Sequence, residues 1–164
     1  MSMYGVNSSV PKTLVRYLVE LFAEQALSEG RKEYSDVLFD ILDSPVSPEL
    51  IPPADGKISQ ITEDLVGPYE LHDFYLYYLL RFGFSPSKIY FLARNSKLAK
   101  KYDADFMKKW LKTFYKRFFS QQFKRSCMPD GVKIGTVNLS PRGDWRMPSD
   151  ASASIWLKEV DELC

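Results

Sequence analysis

DADFMKKWLKTFYKRFFSQQFKRS, residues 103–126, carries the largest amphipathic pattern in the 164-residue chain. Met107, Trp110, Leu111, Phe114 and Phe118, with their neighbours Phe119 and Phe123, recur at helical spacing and make a wide apolar face. Lys108, Lys109, Lys112 and Lys116 line the other side as a solvated row, and Asp103 or Asp105 caps the start. A face that broad belongs to a helix at the centre of its fold.

The flanking segments follow the same period. "YELHDFYLYYLLRFGF" (69–84) is ended by Gly83, and "SPSKIYFLARNSKL" (85–98) opens with Ser85 as cap and Pro86 at the first helical position. Upstream, "SSVPKTLVRYLVELFAEQALSEG" (8–30) offers Ser8 or Ser9 as cap and Gly30 as terminator, with Leu14, Leu18, Leu21 and Phe22 as its stripe. "EYSDVLFDILD" (33–43) is a shorter helix with Val37, Leu38, Ile41 and Leu42 inward. Ser149 caps a last helix, "DASASIWLKEVDEL" (150–163). One short extended piece is expected within 133–139. About six helices with little strand predict an all-α fold. The expected layout is a single helical body: two helices over 9–43, a lid-like loop over 44–68, a helical core over 69–126, a C-terminal loop over 127–148 and a last helix over 149–163.

The loop "SPVSPELIPPADGKISQITEDLVGP" (44–68) holds five prolines and two glycines, a density no helix survives. Loops this long inside a compact domain are uncommon and usually functional or disordered. Its apolar Leu50, Ile51, Ile58, Ile61, Leu65 and Val66 point to a lid or a docking arm rather than a spacer.

Composition excludes several chemistries. One histidine, His72, rules out a multi-histidine zinc site within the chain, and its aromatic helical setting favours packing over catalysis. No Gly-rich phosphate loop is present. No run is long and apolar enough to span a membrane, no secretory leader opens the sequence, and two cysteines suggest a reduced, cytoplasmic protein. Cys127 reads as a small buried residue. Net charge is only +1, yet ten acids against Lys57 occupy 33–73, and ten bases against Asp103 and Asp105 occupy 97–125. The lysine row beside a core stripe does not call for nucleic acid, and RNA-binding aromatic motifs and zinc ligands are missing.

Three places attract attention as anion sites. Lys124 and Arg125 end the long helix, where cations are favoured anyway by the dipole. Beyond the "PDG" corner, "SPRGDWRMPSD" brings Arg142, Asp144 and Arg146 together around Trp145. Helix-end charge and an anionic-ligand site are equally compatible with this pattern, and Arg125 stays unassigned. Lys12 sits in the first turn of a helix, an end that is already positive and attracts anions.

Taken in order, "VPKTLVRYLV", "SPVSPEL", "QITEDLVGPYELHDF", "RFGFSPSKIY", "QQFKRSCMPDG" and "SPRGDWRMPSDAS" resemble the C-terminal part of the synthetase domain of glutamine-dependent NAD synthetases. The resemblance implies the C-terminal helical portion of an α/β adenine-nucleotide-hydrolase-like domain. It implies a ligase that adenylates the nicotinate carboxylate of deamido-NAD with ATP and Mg²⁺, then amidates it with ammonia from a glutaminase domain. It further implies a homo-oligomeric full-length enzyme that needs the rest of the same polypeptide. By the resemblance Lys124 binds deamido-NAD, Lys12 and Ser47 lie on the ATP side, and Asp144 lies near the ammonia-receiving end. Glu49, Thr62 and Glu63 belong to a lid that closes over the site. No metal ligand is expected in this chain. Phe123 stands where shorter, ammonia-dependent relatives have a histidine. The family's S-G-G-x-D-S loop and the nitrilase Cys-Glu-Lys triad are missing, so the chain is expected to be inactive alone. The alternative is a free-standing helical protein-interaction module with a charge-split surface.

Overall fold

A computed structural model describes residues 4–44 and 66–164, which contain seven α-helices, one 3₁₀ turn and two very short strands. They fall into two compact units, Pro11–Tyr69 and a larger one made of Met1–Val10 with Glu70–Cys164.

The smaller unit contains a helical hairpin of α1 (Lys12–Ser28) and α2 (Lys32–Asp43). Gly30, at φ 77°, takes the left-handed position that ends α1. Its N–H donates to the Leu27 carbonyl and that of Arg31 to the Ala26 carbonyl, which closes a Schellman turn. Ala23, Ala26 and Ser35 are the residues this hairpin buries. The expected inward stripes are therefore corrected: Leu21 and Phe22 are each 55% exposed, and Val37 and Ile41 are 58% and 56% exposed. Small side chains let two helices approach closely, and the larger apolar groups stay outside the contact. Pro11 occupies the cap position of α1, and no side chain caps it. Ser9 instead accepts the Ile134 N–H (2.7 Å) and donates to the Val132 carbonyl (2.9 Å).

The larger unit is built on α5 (Ala104–Ser120), whose start is capped by Asp103 accepting the Phe106 N–H at 2.7 Å. Met107, Trp110, Leu111, Phe114, Tyr115, Phe118 and Phe119 are buried along it. Against this face pack α3 (Tyr69–Phe82) through Leu71, Tyr75 and Leu79, and α4 (Pro86–Arg94) through Ile89, Tyr90 and Ala93. Two tyrosines add polar anchors to the ring packing. Tyr75 donates to the Met107 carbonyl (3.0 Å) and Tyr90 to that of Ala104 (3.2 Å). Burial raises the Tyr75 phenol pKa well above its usual value.

The final helix, α7 (Ser154–Asp161), buries Val160 in the same core. It starts at Ser154 rather than after Ser149, because the Ser152 hydroxyl accepts the Ser154 N–H and the Ala151 N–H turns back to Pro148. The lysine row on α5 is not simply solvated. Lys108 donates to the carbonyls of Asp161 and Leu163, and Lys112 pairs with Asp161, placing cations at the negative end of α7. Just before α5, Lys101 (3.0 Å) and the Tyr102 hydroxyl (2.6 Å) both bind Glu70. Acidic and basic segments of the sequence thus meet here within one unit.

The expected helix over 103–126 is interrupted at Gln121, giving α5 and a short α6 (Gln122–Ser126). No strand is found in 133–139. The strands are β1 (Tyr4–Gly5) and β2 (Asp130–Gly131), paired in parallel with Tyr4 opposite Asp130. Only glycine fits at 131, since a Cβ there would collide with Ser8 Oγ and the Gly5 carbonyl. Gly131→Ala is expected to destabilise the larger unit by about 1–3 kcal/mol, as over-packing does. A urea midpoint indistinguishable from the parent's would contradict that close approach.

Glu159 on α7 accepts the Ser87 N–H at 2.9 Å and so caps α4 from another helix. Burial pushes its pKa up, but hydrogen bonds from Ser87 and Ser85 outweigh this and hold it below the usual carboxylate value of 4.5. The stabilising contribution is complete above pH 4.5 and is lost as pH falls through the lower folded pKa. Glu159→Gln should lower the melting temperature at pH 7 by more than at pH 3. An equal loss at both values would rule out the ionised cap.

Candidate functional site

The candidate residues sit on four different supports. Lys12 is the first residue of α1, exposed, in a first turn with no acid to offset the dipole. It lies in the smaller unit. Ser47, Glu49, Thr62 and Glu63, with the loop expected over 44–68 that carries them, fall outside the described residues between 45 and 65. Lys124 lies on α6 and Asp144 in the segment that follows β2, both in the larger unit.

Lys124 is exposed, with Nζ 6.0 Å from the centroid of the Phe123 ring. It forms no ion pair among the described residues, so its ammonium is available to a ligand. Phe123 is also exposed rather than part of the core face, because the break at Gln121 rotates it out of the α5 stripe.

Arg125 proves to be structural in its contacts. Its Nε donates to Gln122 Oε1 at 2.8 Å, and Nη2 donates to the Phe118 carbonyl. The guanidinium lies over the Phe118 ring, 4.5 Å from the centroid. Burial lowers its pKa from the usual arginine value. An unbroken helix would give the Phe118 carbonyl to the Gln122 N–H; here the guanidinium takes it. The sequence alone offered a weak sign of this, an aromatic seven residues before an arginine.

Asp144 pairs with Lys133, and both side chains are partly exposed. With Arg81, Thr136, Asn138, Leu80 and Val137 they line a polar hollow of about 210 Å³. Asn138 is only 7% exposed, and its Oδ1 accepts the Ser140 N–H, leaving the amide nitrogen as a donor. Sequence patterns gave no hint of Arg81 or Asn138, which approach from a helix end and a loop. Arg142 is engaged within the fold: it binds Asp130 and the Met128 carbonyl, tying this segment to the turn after α6. Arg146 donates to the Pro141 carbonyl. Trp145 packs edge-on against Phe118, 5.2 Å between centroids, and its buried Nε1 finds no hydrogen-bond partner among the described residues. Cys127, expected to be buried, is exposed, since it follows the end of α6 on the outside of the turn. His72 lies against Phe114, 5.8 Å between rings.

Among the described residues, no group of three or more His, Cys, Asp or Glu side chains could hold a metal. Nor is any helix among them long and apolar enough to cross a membrane.

The chain is 43% identical to a glutamine-dependent NAD(+) synthetase of Mycobacterium leprae over a 180-residue alignment. It is 41% identical to the proteins of that name from Mycobacterium bovis and Mycobacterium tuberculosis over 178 residues. The alignments cover 98% of this chain. Over nearly its whole length the chain is similar to one segment of these glutamine-dependent NAD(+) synthetases. It spans about a quarter of the length of these relatives (26%). No family model matches it.

The Asp144–Lys133 pair is too exposed to support the fold strongly, since such pairs contribute about 0–1 kcal/mol. Asp144→Asn should shift stability by no more than about 1 kcal/mol in denaturant unfolding. A larger loss would make Asp144 a structural residue and remove it from the candidate site.

Proposed function

We propose that this chain supplies part of the synthetase site, on both its deamido-NAD and its ATP side, in a glutamine-dependent NAD synthetase. The observation that carries the proposal is the 41–43% identity to such enzymes across 98% of the chain. In the proposed reaction, the nicotinate carboxylate of deamido-NAD attacks the α-phosphorus of ATP and releases pyrophosphate. Ammonia derived from glutamine then displaces AMP from the acyl adenylate, leaving the amide of NAD. An acyl adenylate is needed because a free carboxylate is a poor electrophile toward an amine.

Within this scheme Lys124 contacts deamido-NAD. Its exposed ammonium suits an anionic dinucleotide, whose charge it meets with up to three donors. Lys12 and Ser47 serve the ATP side. The positive first turn of α1 adds to the charge of Lys12 there. Asp144 lies near the point where ammonia arrives and can accept hydrogen bonds from it. The 44–68 segment, through Glu49, Thr62 and Glu63, closes over the bound substrates. Mg²⁺, which neutralises ATP phosphates when bound, would draw its protein ligands from elsewhere in the full-length enzyme. The glutaminase domain and the remainder of the synthetase domain complete the working homo-oligomer.

The chain contains no S-G-G-x-D-S loop to hold pyrophosphate, so the isolated segment is proposed to be inactive. In a full-length enzyme carrying the segment, Lys124→Ala should raise the KM for deamido-NAD about tenfold with a much smaller change for ATP. Lys12→Ala should show the opposite preference. Two variants with wild-type kinetics would sink these assignments, and turnover of deamido-NAD by the segment alone would sink the claim of inactivity.

A further inference from the structure

We infer that Arg125 is a positioning residue for Lys124, acting through the ring and carbonyl of Phe118. This rests on the assignment of Lys124 as a deamido-NAD contact. The helix that bears Lys124 has five residues, too few to be stable on its own hydrogen bonds. What holds it is tertiary. Gln122 is 1% exposed, and its side-chain oxygen accepts from Arg125 Nε. The guanidinium also takes the Phe118 carbonyl and covers the Phe118 ring. Three constraints on one planar group fix the pitch of α6 relative to the end of α5. Lys124 lies next to it in the chain, held further by its own N–H to the Gln121 carbonyl at 3.1 Å.

The same ring reaches the other candidate residue. Trp145, the neighbour of Asp144, packs against Phe118 with no polar anchor of its own among the described residues. Phe118, itself buried in α5, therefore braces both α6 and the segment of Asp144. Among the described residues Arg125 forms no ion pair: its bonds go to a neutral amide and a neutral carbonyl. Its charge therefore adds to the local potential for an anionic ligand without direct contact. Lysine cannot replace it, since an ammonium has neither the planar face nor the divergent donors.

The test is a double-mutant cycle in a full-length glutamine-dependent NAD synthetase carrying this segment. Arg125→Lys alone should raise the KM for deamido-NAD about fivefold, with the KM for ATP and the thermal midpoint nearly unchanged. In a Lys124→Ala background the same substitution should add less than about twofold, because its effect passes through the missing lysine. Arg125→Gln, which keeps a planar polar group but loses the guanidinium's charge and divergent donors, should show the same non-additivity and serves if Arg125→Lys fails to fold. Multiplicative losses, or no loss from Arg125→Lys with Lys124→Ala impaired, would overturn the positioning role alone. An unimpaired Lys124→Ala would overturn the ligand assignment and, with it, this inference.

Discussion

The aromatic face of α5 is the constraint on which the larger unit depends. Seven of its side chains are buried, and α3, α4 and α7 reach the core by packing on them. The rings meet edge-on or tilted along much of its length, from Phe106 on Trp110 to Phe114 on Phe118, geometries that suit their quadrupoles. Near its C-terminal end this wall bears functional candidates as well as core. Phe119 packs on Trp156 of α7, while Phe118 receives Arg125 on its ring and Trp145 against its edge. The core and the candidate site are thus built from consecutive residues of one helix.

The hairpin of α1 and α2 is organised differently. It closes through alanines and a serine and leaves large apolar groups in solvent. That arrangement is uneconomical for an isolated domain, whose surface normally scatters such groups singly. It accords with a segment that makes up a quarter of the length of its relatives.

Local chemistry made most elements legible in the sequence. Pro86 opens α4, Asp103 caps α5 and Gly30 ends α1, each acting on its immediate neighbours. What the sequence concealed was set by partners far along the chain. The break at Gln121 depends on a guanidinium folding back on Phe118, and periodicity alone would carry the helix through. Ser9, read as a cap, is recruited by Val132 and Ile134. The short strand falls at 130–131 because its partner is Tyr4–Gly5, a pairing no local pattern encodes. Among the proposed site residues, Lys124 is picked out by the order of motifs around it, while Arg125 shows in the sequence only as charge. Its place over Phe118 is a matter of three-dimensional packing.

The bonds from Ser9 span 123 and 125 residues of chain. Contacts so far apart in sequence carry a large loop-closure cost and form slowly. During synthesis the β1 segment must wait for more than half of the larger unit, through α6, to leave the ribosome before its partner exists. The α1–α2 hairpin, whose turn is closed by bonds within a few residues, has no such delay. The N-terminal segment and the 130–134 stretch are therefore joined late, after α3 to α5 have already had time to collapse on one another. The clamp records the completion of folding rather than its beginning.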